Sequence, residues 1–170
     1  MSHGPDTVAL VGISEPSAQS ITDEQAITNL LYTYAERVDA GDFDGVSALF
    51  AHAAFRTSRY DTGDGPRGSA VGDLMRSTVI TYPEGAEYAT PRTKHVTTNV
   101  IIEIDGNSAV SRSGYTVLQS VDSGAIEIII TGRYHDRFEQ VGGRWQFADR
   151  LVFMDLFGDL SKHLRGVRPT

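Results

Sequence analysis

Apolar residues fall at helical spacing in the first half of the chain and alternate with polar ones in the second. Ile27, Leu30, Leu31, Tyr34, Ala35 and Val38 recur three or four positions apart, the stripe of a helix buried on one side. Thr22 and Gln25 precede that stripe in a pattern where a hydroxyl and an amide satisfy each other's orphan backbone donors, and Asp23 and Glu24 face the positive end of the helix dipole. Gly41 follows, able to close the helix in the left-handed conformation. The spacing predicts a helix from about Asp23 to Ala40. Asp42 caps a shorter predicted helix, Phe43 to Phe50, whose stripe is Val46, Leu49 and Phe50. Ala53 to Arg59 is predicted as a short strand and Asp61 to Arg67, with Gly63, Gly65 and Pro66, as a loop. Val71, Leu74, Met75, Thr78 and Val79 predict a third helix from Ser69 to about Thr81, stopped before Pro83.

Beyond that point the period changes. Lys94 to Ile104, Ala109 to Val121, Ala125 to Val141 and Arg144 to Asp155 are rich in Val, Ile, Thr and aromatics. Turn clusters at Asp105-Gly106-Asn107, Asp122-Ser123-Gly124 and Gly142-Gly143 separate them, so they read as long antiparallel strands joined by hairpins. Helices followed by a meander predict an α+β fold, with about three N-terminal helices on one face of a curved antiparallel sheet. Residues 1–20 carry no sustained period and are expected to form an arm, residues 21–157 the single domain, and residues 158–170 a tail. Lys162, Arg165 and Arg168 read most simply as a solvated end.

Composition narrows the function. At 170 residues with 40% hydrophobic, the chain suffices for one core, and no apolar run approaches the roughly 18–20 residues of a membrane span. Acidic residues outnumber basic ones 22 to 15, giving a net charge of -7 that disfavours a nucleic-acid partner. With no cysteine, thiolate metal sites, disulfides and thiol nucleophiles are excluded. Val8 to Ile13 is too short for a secretory apolar segment and nothing basic precedes it, so the expectation is a cytoplasmic protein. His3, His52, His95, His135 and His163 are scattered without metal-ligand spacing, and no phosphate-cradling loop or nucleophile elbow occurs. No metal and no cofactor is expected.

What remains is a strand and a helix end. A strict period of two along Arg92 to Ile104 puts Val96, Val100, Ile102 and Ile104 on one face and His95, Thr97 and Asn99 on the other. That polar face either meets solvent or lines a pocket inside the curved sheet, where a histidine can exchange protons near neutral pH. On the first helix, Thr28, Tyr32, Ala35 and Asp39 form a stripe beside the main apolar face. Asp39 lies at the negative end of the helix dipole, a poor place for a carboxylate unless something else uses it. Held against one imidazole nitrogen, it would fix the tautomer and stabilise the imidazolium. Tyr34, Phe55, Tyr115, Phe138, Trp145 and Phe153 are core material, with Tyr34, Phe55 and Tyr115 the candidates to floor a pocket. Arg133 is either salt-bridged on the surface or a partner for a substrate anion.

Three stretches carry a family resemblance: Tyr34-Ala35-Glu36-Arg37-Val38-Asp39-Ala40-Gly41-Asp42-Phe43-Asp44; Arg92-Thr93-Lys94-His95-Val96-Thr97-Thr98-Asn99; and Gly132 to Phe138 with Gly143-Arg144-Trp145-Gln146-Phe147. From about Thr22 to Asp155 the chain resembles the SnoaL-like branch of the nuclear-transport-factor-2-like superfamily. The resemblance implies a cone, a curved sheet wrapped around helices with a deep apolar pocket at its open end. It further implies an Asp–His dyad like that of scytalone dehydratase and hexachlorocyclohexane dehydrochlorinase, at Asp39 and His95. The two water-holding tyrosines of scytalone dehydratase fall on Val38 and about Ser58, and its second pocket histidine near Ser120, so dehydration of that substrate is not implied. The expected activity is cofactor-free proton abstraction leading to elimination, isomerisation or cyclisation of a small, largely apolar molecule, cyclic ones included. Thr97 or Asn99 would bond developing oxyanion charge. The rivals are a non-catalytic binding or assembly module and a partner like the small subunit of a ring-hydroxylating dioxygenase. The exposed face of the sheet also predicts self-association, as a dimer or trimer.

Overall fold

The computed structural model describes residues 22–58, 65–85, 88–121 and 124–168. The expected N-terminal arm and most of the loop from Asp61 to Arg67 lie outside the described residues. In chain order the elements are α1 (Asp23–Ala40), α2 (Phe43–Leu49), β1 (Ala54–Thr57), α3 (Ser69–Thr78), β2 (Tyr82–Glu84), β3 (Tyr88–Thr90), β4 (Thr93–Asp105), β5 (Ser108–Gln119), β6 (Glu127–Val141) and β7 (Arg144–Phe157). The fold is α+β: three helices lie against a large curved sheet of order β1-β7-β6-β5-β4, and β2 and β3 form a separate hairpin. The four long strands are the expected antiparallel meander. β1 instead runs parallel to β7, with Ala54 opposite Asp149, so the sheet is antiparallel-dominated rather than wholly antiparallel.

The ends of α1 follow their local chemistry. Thr22 accepts a hydrogen bond from the Gln25 backbone N–H at 3.2 Å, while the Gln25 side chain turns to Asn29 at 2.8 Å instead of completing the reciprocal cap. Gly41 ends the helix at φ 72°, and a Cβ there would sit 2.5 Å from the Ala89 carbonyl oxygen. Only glycine lets the β2–β3 hairpin approach the turn that follows Asp39. α3 stops at Thr78, short of the predicted Thr81, because Val79 is extended and bridges to Leu164.

β5 shows the alternation that builds the core: Ala109, Ser111, Ser113, Tyr115, Val117 and Gln119 are all buried. Ala109, Tyr115 and Val117 share one apolar cluster with Ile27, Leu31, Tyr34 and Val38 of α1, Val46 of α2, Phe50 at its end, and Val71 and Met75 of α3. Bulges interrupt the ladder between Thr98 and Ile101, Val117 and Leu118, Thr131 and Gly132, and Arg137 and Phe138, and each adds twist and bend. The first corrects the period-two expectation for β4. Asn99 takes φ 53° in that bulge, so the alternation flips: His95 and Thr97 oppose Val117 and Tyr115, and Ile102 and Ile104 oppose Ser111 and Ala109. All four face the core side. Ile102 and Ile104 therefore share the face of His95, and Val96 faces outward.

The interior also holds an ion pair. Arg150 donates from Nε and Nη2 to both Asp136 oxygens at 2.8 Å, with both side chains fully buried. Its guanidinium lies 4.2 and 4.1 Å from the ring centres of Tyr34 and Tyr134.

Lys162, Arg165 and Arg168 are exposed as expected, but the segment that carries them packs on the fold. Leu160 and His163 are buried, the Ile80 N–H donates to the His163 carbonyl at 2.8 Å, and the Arg165 N–H donates to Thr78 at 2.8 Å. The Tyr82 hydroxyl and the Gln119 amide both donate to the Lys162 carbonyl, at 2.7 and 3.2 Å. Val167 is exposed as well.

Candidate active site

The last turn of α1 and the first residues of β4 meet at the free edge of the sheet. Arg92 turns the chain into β4 at φ 55°, held by a 2.8 Å ion pair from its Nε to Glu84. The next inward-facing residues, Thr93 and His95, both reach Asp39. The Thr93 hydroxyl donates to Asp39 Oδ1 at 2.8 Å, the His95 backbone N–H donates to Oδ2 at 2.9 Å, and His95 Nδ1 lies 2.6 Å from Oδ1. The two side chains are only 8% and 7% exposed. Burial pushes the Asp39 carboxyl up, but the hydrogen bond and charge of His95, its backbone N–H and the Thr93 hydroxyl outweigh this and hold it below the ordinary carboxylate value. An ionised Asp39 accepts a proton-bearing Nδ1, which leaves Nε2 as the nitrogen free to take a proton.

A cleft of about 360 Å³ opens at this seam, between Tyr32, Glu36 and Asp39 of α1 and Lys94 to Thr97 of β4. Asp39, His95 and Thr97 are thus brought together. The Tyr34 ring meets the His95 ring edge-on, with centroids 6.5 Å apart, but stays in the core. Phe55 packs on Phe50 at 5.4 Å, and Tyr115 stacks on Tyr134 at 4.4 Å with its hydroxyl bonded to the Phe153 carbonyl; neither lines the cleft. Asn99 is exposed in its bulge and does not line it. Arg133 lies exposed over Phe153 and pairs with Asp155 through two hydrogen bonds, at 2.8 and 2.9 Å. Thr93 went unnoticed in the sequence although it stands two positions before His95, on the same face. Among the described residues no three His, Asp or Glu side chains cluster closely enough to hold a metal ion.

His163 is a second unforeseen neighbour. Burial, with a smaller contribution from the charge of His95 and against the pull of Asp39, pushes it down to about 4. The folded protein therefore keeps His163 neutral, while the unfolded chain protonates it below about pH 6.5. Its contribution to stability is complete above that value and is lost as pH falls towards 4, a drop on the order of 3 kcal/mol. Asp39 acts lower: its contribution is present above about pH 4 and disappears only as pH falls through its depressed value. Urea denaturation at pH 7 and 4.5 separates these windows. His163→Asn is expected to lose distinctly less stability on acidification than the wild type, and equal losses would contradict the assignment.

These features define a small α+β cone domain with an acid–imidazole pair at its helix–sheet seam. The chain matches the SnoaL-like domain over residues 19–151 and belongs to that family. No curated protein matches it. Among solved structures it is similar to a variant of Rv3472, a protein of unknown function from Mycobacterium tuberculosis, at 24% identity and TM-score 0.61, covering 80% of this chain and 78% of that one. A scytalone dehydratase-like protein from Novosphingobium aromaticivorans is 20% identical at TM-score 0.60, covering 86% and 91%. The β subunit of an aromatic-ring-hydroxylating-dioxygenase-like protein from the same organism is 17% identical at TM-score 0.58, covering 85% and 95%. At these identities the likeness is one of fold. No helix among the described residues is long and apolar enough to cross a membrane.

Proposed function

We propose that the protein is a cofactor-independent lyase or isomerase in which His95 removes a proton from carbon and Asp39 holds and electrostatically supports it. The observation that carries this reading is the 2.6 Å contact between Asp39 and His95 Nδ1, nearly buried yet bordering a cleft. A structural carboxylate at a helix C-terminus gains nothing from the dipole, whereas one backing an imidazole both orients it and offsets the charge it acquires. Thr97, beside His95 in the cleft, is placed to bond an oxyanion as charge develops. The substrate is a small, largely apolar molecule with an acidified C–H, cyclic compounds included. A direct test follows the exchange of the acidic C–H protons of 2-tetralone in D2O by proton NMR. The wild type is expected to accelerate exchange over buffer and His95→Gln is not; equal acceleration by both would contradict the proposal.

Self-association belongs to the same reading. Val96, Thr116, Thr131 and Leu156 form one rung across four strands on the outer face, and Val96, Leu156 and neighbouring Ile128 are 43%, 69% and 61% exposed. A sizing column is expected to return a dimer or trimer. A monomer would contradict this and favour a foreign partner, as the dioxygenase-β-subunit-like neighbour has.

A further inference from the structure

β4 is the last strand of its sheet, so one of its edges has no neighbouring strand. Two hydrogen bonds at its start fix which backbone groups that edge carries. The Ser120 N–H donates to the Arg92 carbonyl at 3.2 Å, so the even-numbered residues here turn their N–H and C=O towards β5. The His95 N–H donates the other way, to Asp39 of α1. The register runs unbroken from Thr93 to Thr98. Backbone groups alternate in direction from residue to residue along a strand, so the His95 carbonyl and the Thr97 N–H both point off the free edge. The Thr97 side chain takes another direction, standing on the inner face opposite Tyr115. Asp39 bridges helix and strand at His95, and the cleft opens beside it, lined by Tyr32 and Ala35 of α1 and by Val96 and Thr97 of β4. Among the described residues no strand or side chain takes up the His95 carbonyl or the Thr97 N–H.

An acceptor followed two residues later by a donor is the pair with which a parallel strand binds the N–H and C=O of one facing residue. Here the run of free groups is too short for a strand. Asp39 holds the preceding N–H, and the bulge at Asn99 breaks the edge just beyond. We infer that this stretch of β4 recognises a small planar ring compound with a hydrogen-bond donor beside a carbonyl oxygen, a cyclic amide or a hydroxyketone. The donor bonds to the His95 carbonyl, and the carbonyl oxygen accepts from the Thr97 N–H. Tyr32, Ala35 and Val96 give the ring apolar walls. The inference rests on the Asp39–His95 reading for its chemistry, and it narrows the substrate from any apolar carbon acid to carbonyl compounds with a neighbouring donor. When His95 Nε2 takes a proton from the ring carbon beside the carbonyl, the C–H electron pair moves onto the carbonyl oxygen. The Thr97 N–H then holds the enolate oxygen that forms.

The probes are oxindole, a bicyclic amide with an acidic C–H beside its carbonyl, and 2-indanone, which has the same ring frame with CH2 in place of the N–H. In calorimetric titration at pH 7 the wild type is expected to bind oxindole about tenfold more tightly than 2-indanone. Thr97→Val and Thr97→Pro both lack the hydroxyl, and only the second also lacks the N–H. Proline is tolerated on an edge strand where the N–H faces outward, and Thr97→Pro is expected to bind oxindole about tenfold more weakly than Thr97→Val. Should the proline variant not fold, the wild-type protein supplies a second readout. Its Thr97 amide proton is expected to shift downfield on saturation with oxindole, further than those of Val96 and Thr98, which face β5. Failure of the wild type to bind oxindole, equal affinity for the two probes, equal binding by two folded variants or an unmoved Thr97 amide would each overturn the inference. Selective binding without acceleration of C–H exchange in D2O would keep the recognition site and remove His95 as the base. Exchange that is accelerated by the wild type and lost in His95→Gln, with no preference between the probes, would keep the dyad and overturn the recognition.

Discussion

Asp136→Ala is expected to destabilise the fold by about 3–5 kcal/mol in urea denaturation at pH 7, because it strands a guanidinium where water cannot reach. Arg150 is wholly buried, two of its three nitrogens are committed to Asp136, and Nη1 has no partner among the described residues. Burial pushes the Asp136 carboxyl up even with Arg150 beside it, so the pair is held together by mutual need rather than by easy solvation. The Tyr34 and Tyr134 faces add cation–π attraction but offer no acceptor for the freed donors. The double variant Asp136→Leu/Arg150→Met removes both charges and is expected to recover most of the loss. A single variant within about 1 kcal/mol of wild type would mean that the charge finds water, and that this part of the core is open. Since Tyr34 touches both Arg150 and His95, the pair also stiffens the wall behind the dyad.

The second large effect concerns activity. In the 2-tetralone exchange assay, Asp39→Asn and His95→Gln are each expected to lower the enzymatic rate by roughly 10²- to 10⁴-fold, the usual worth of a positioned proton-transfer group. The double variant is expected to lose little more than either single one, because the two side chains act as a unit. Asn at position 39 retains the size of the carboxylate but presents an amide where an acceptor for Nδ1–H is required, turning the imidazole towards the wrong tautomer. Asp39→Asn would also disturb acceptors that serve the Thr93 hydroxyl and the His95 backbone N–H, for a stability loss of about 1–3 kcal/mol. An Asp39→Asn protein that is destabilised but fully active would make Asp39 a clamp for β4 and nothing more.

Local chemistry made α1 legible to the residue: a hydroxyl cap at Thr22, a glycine at 41 and an unbroken stripe between them. The long strands were legible through their alternation and turn clusters, and the short β2–β3 hairpin was not, since three-residue strands around Pro83 and Gly85 look like loop. Pairing partners were harder still. That β1 joins β7 in parallel depends on contacts about ninety-five residues apart, such as Ala54 with Asp149. The flip of β4 hinged on one left-handed residue, Asn99, whose type tolerates that conformation without announcing it. The charges near the end of the chain were legible as exposed, but its packing was not, because only the charges were weighed: Leu160, His163 and Leu164, which turn inward, hold the segment on the fold. Asp39 and His95 lie 56 positions apart, and no spacing rule joins them; a helix end and a strand start had to be placed edge to edge by the fold.

Nitrogen NMR of the histidine rings at pH 7.5 reads the Asp39–His95 pairing without substrate or variant. The neutral form of His95 is expected to carry its proton on Nδ1, held by Asp39 in slow exchange with water, with Nε2 unprotonated. His95 in the opposite tautomer, or averaging between the two as free imidazole does, would contradict it.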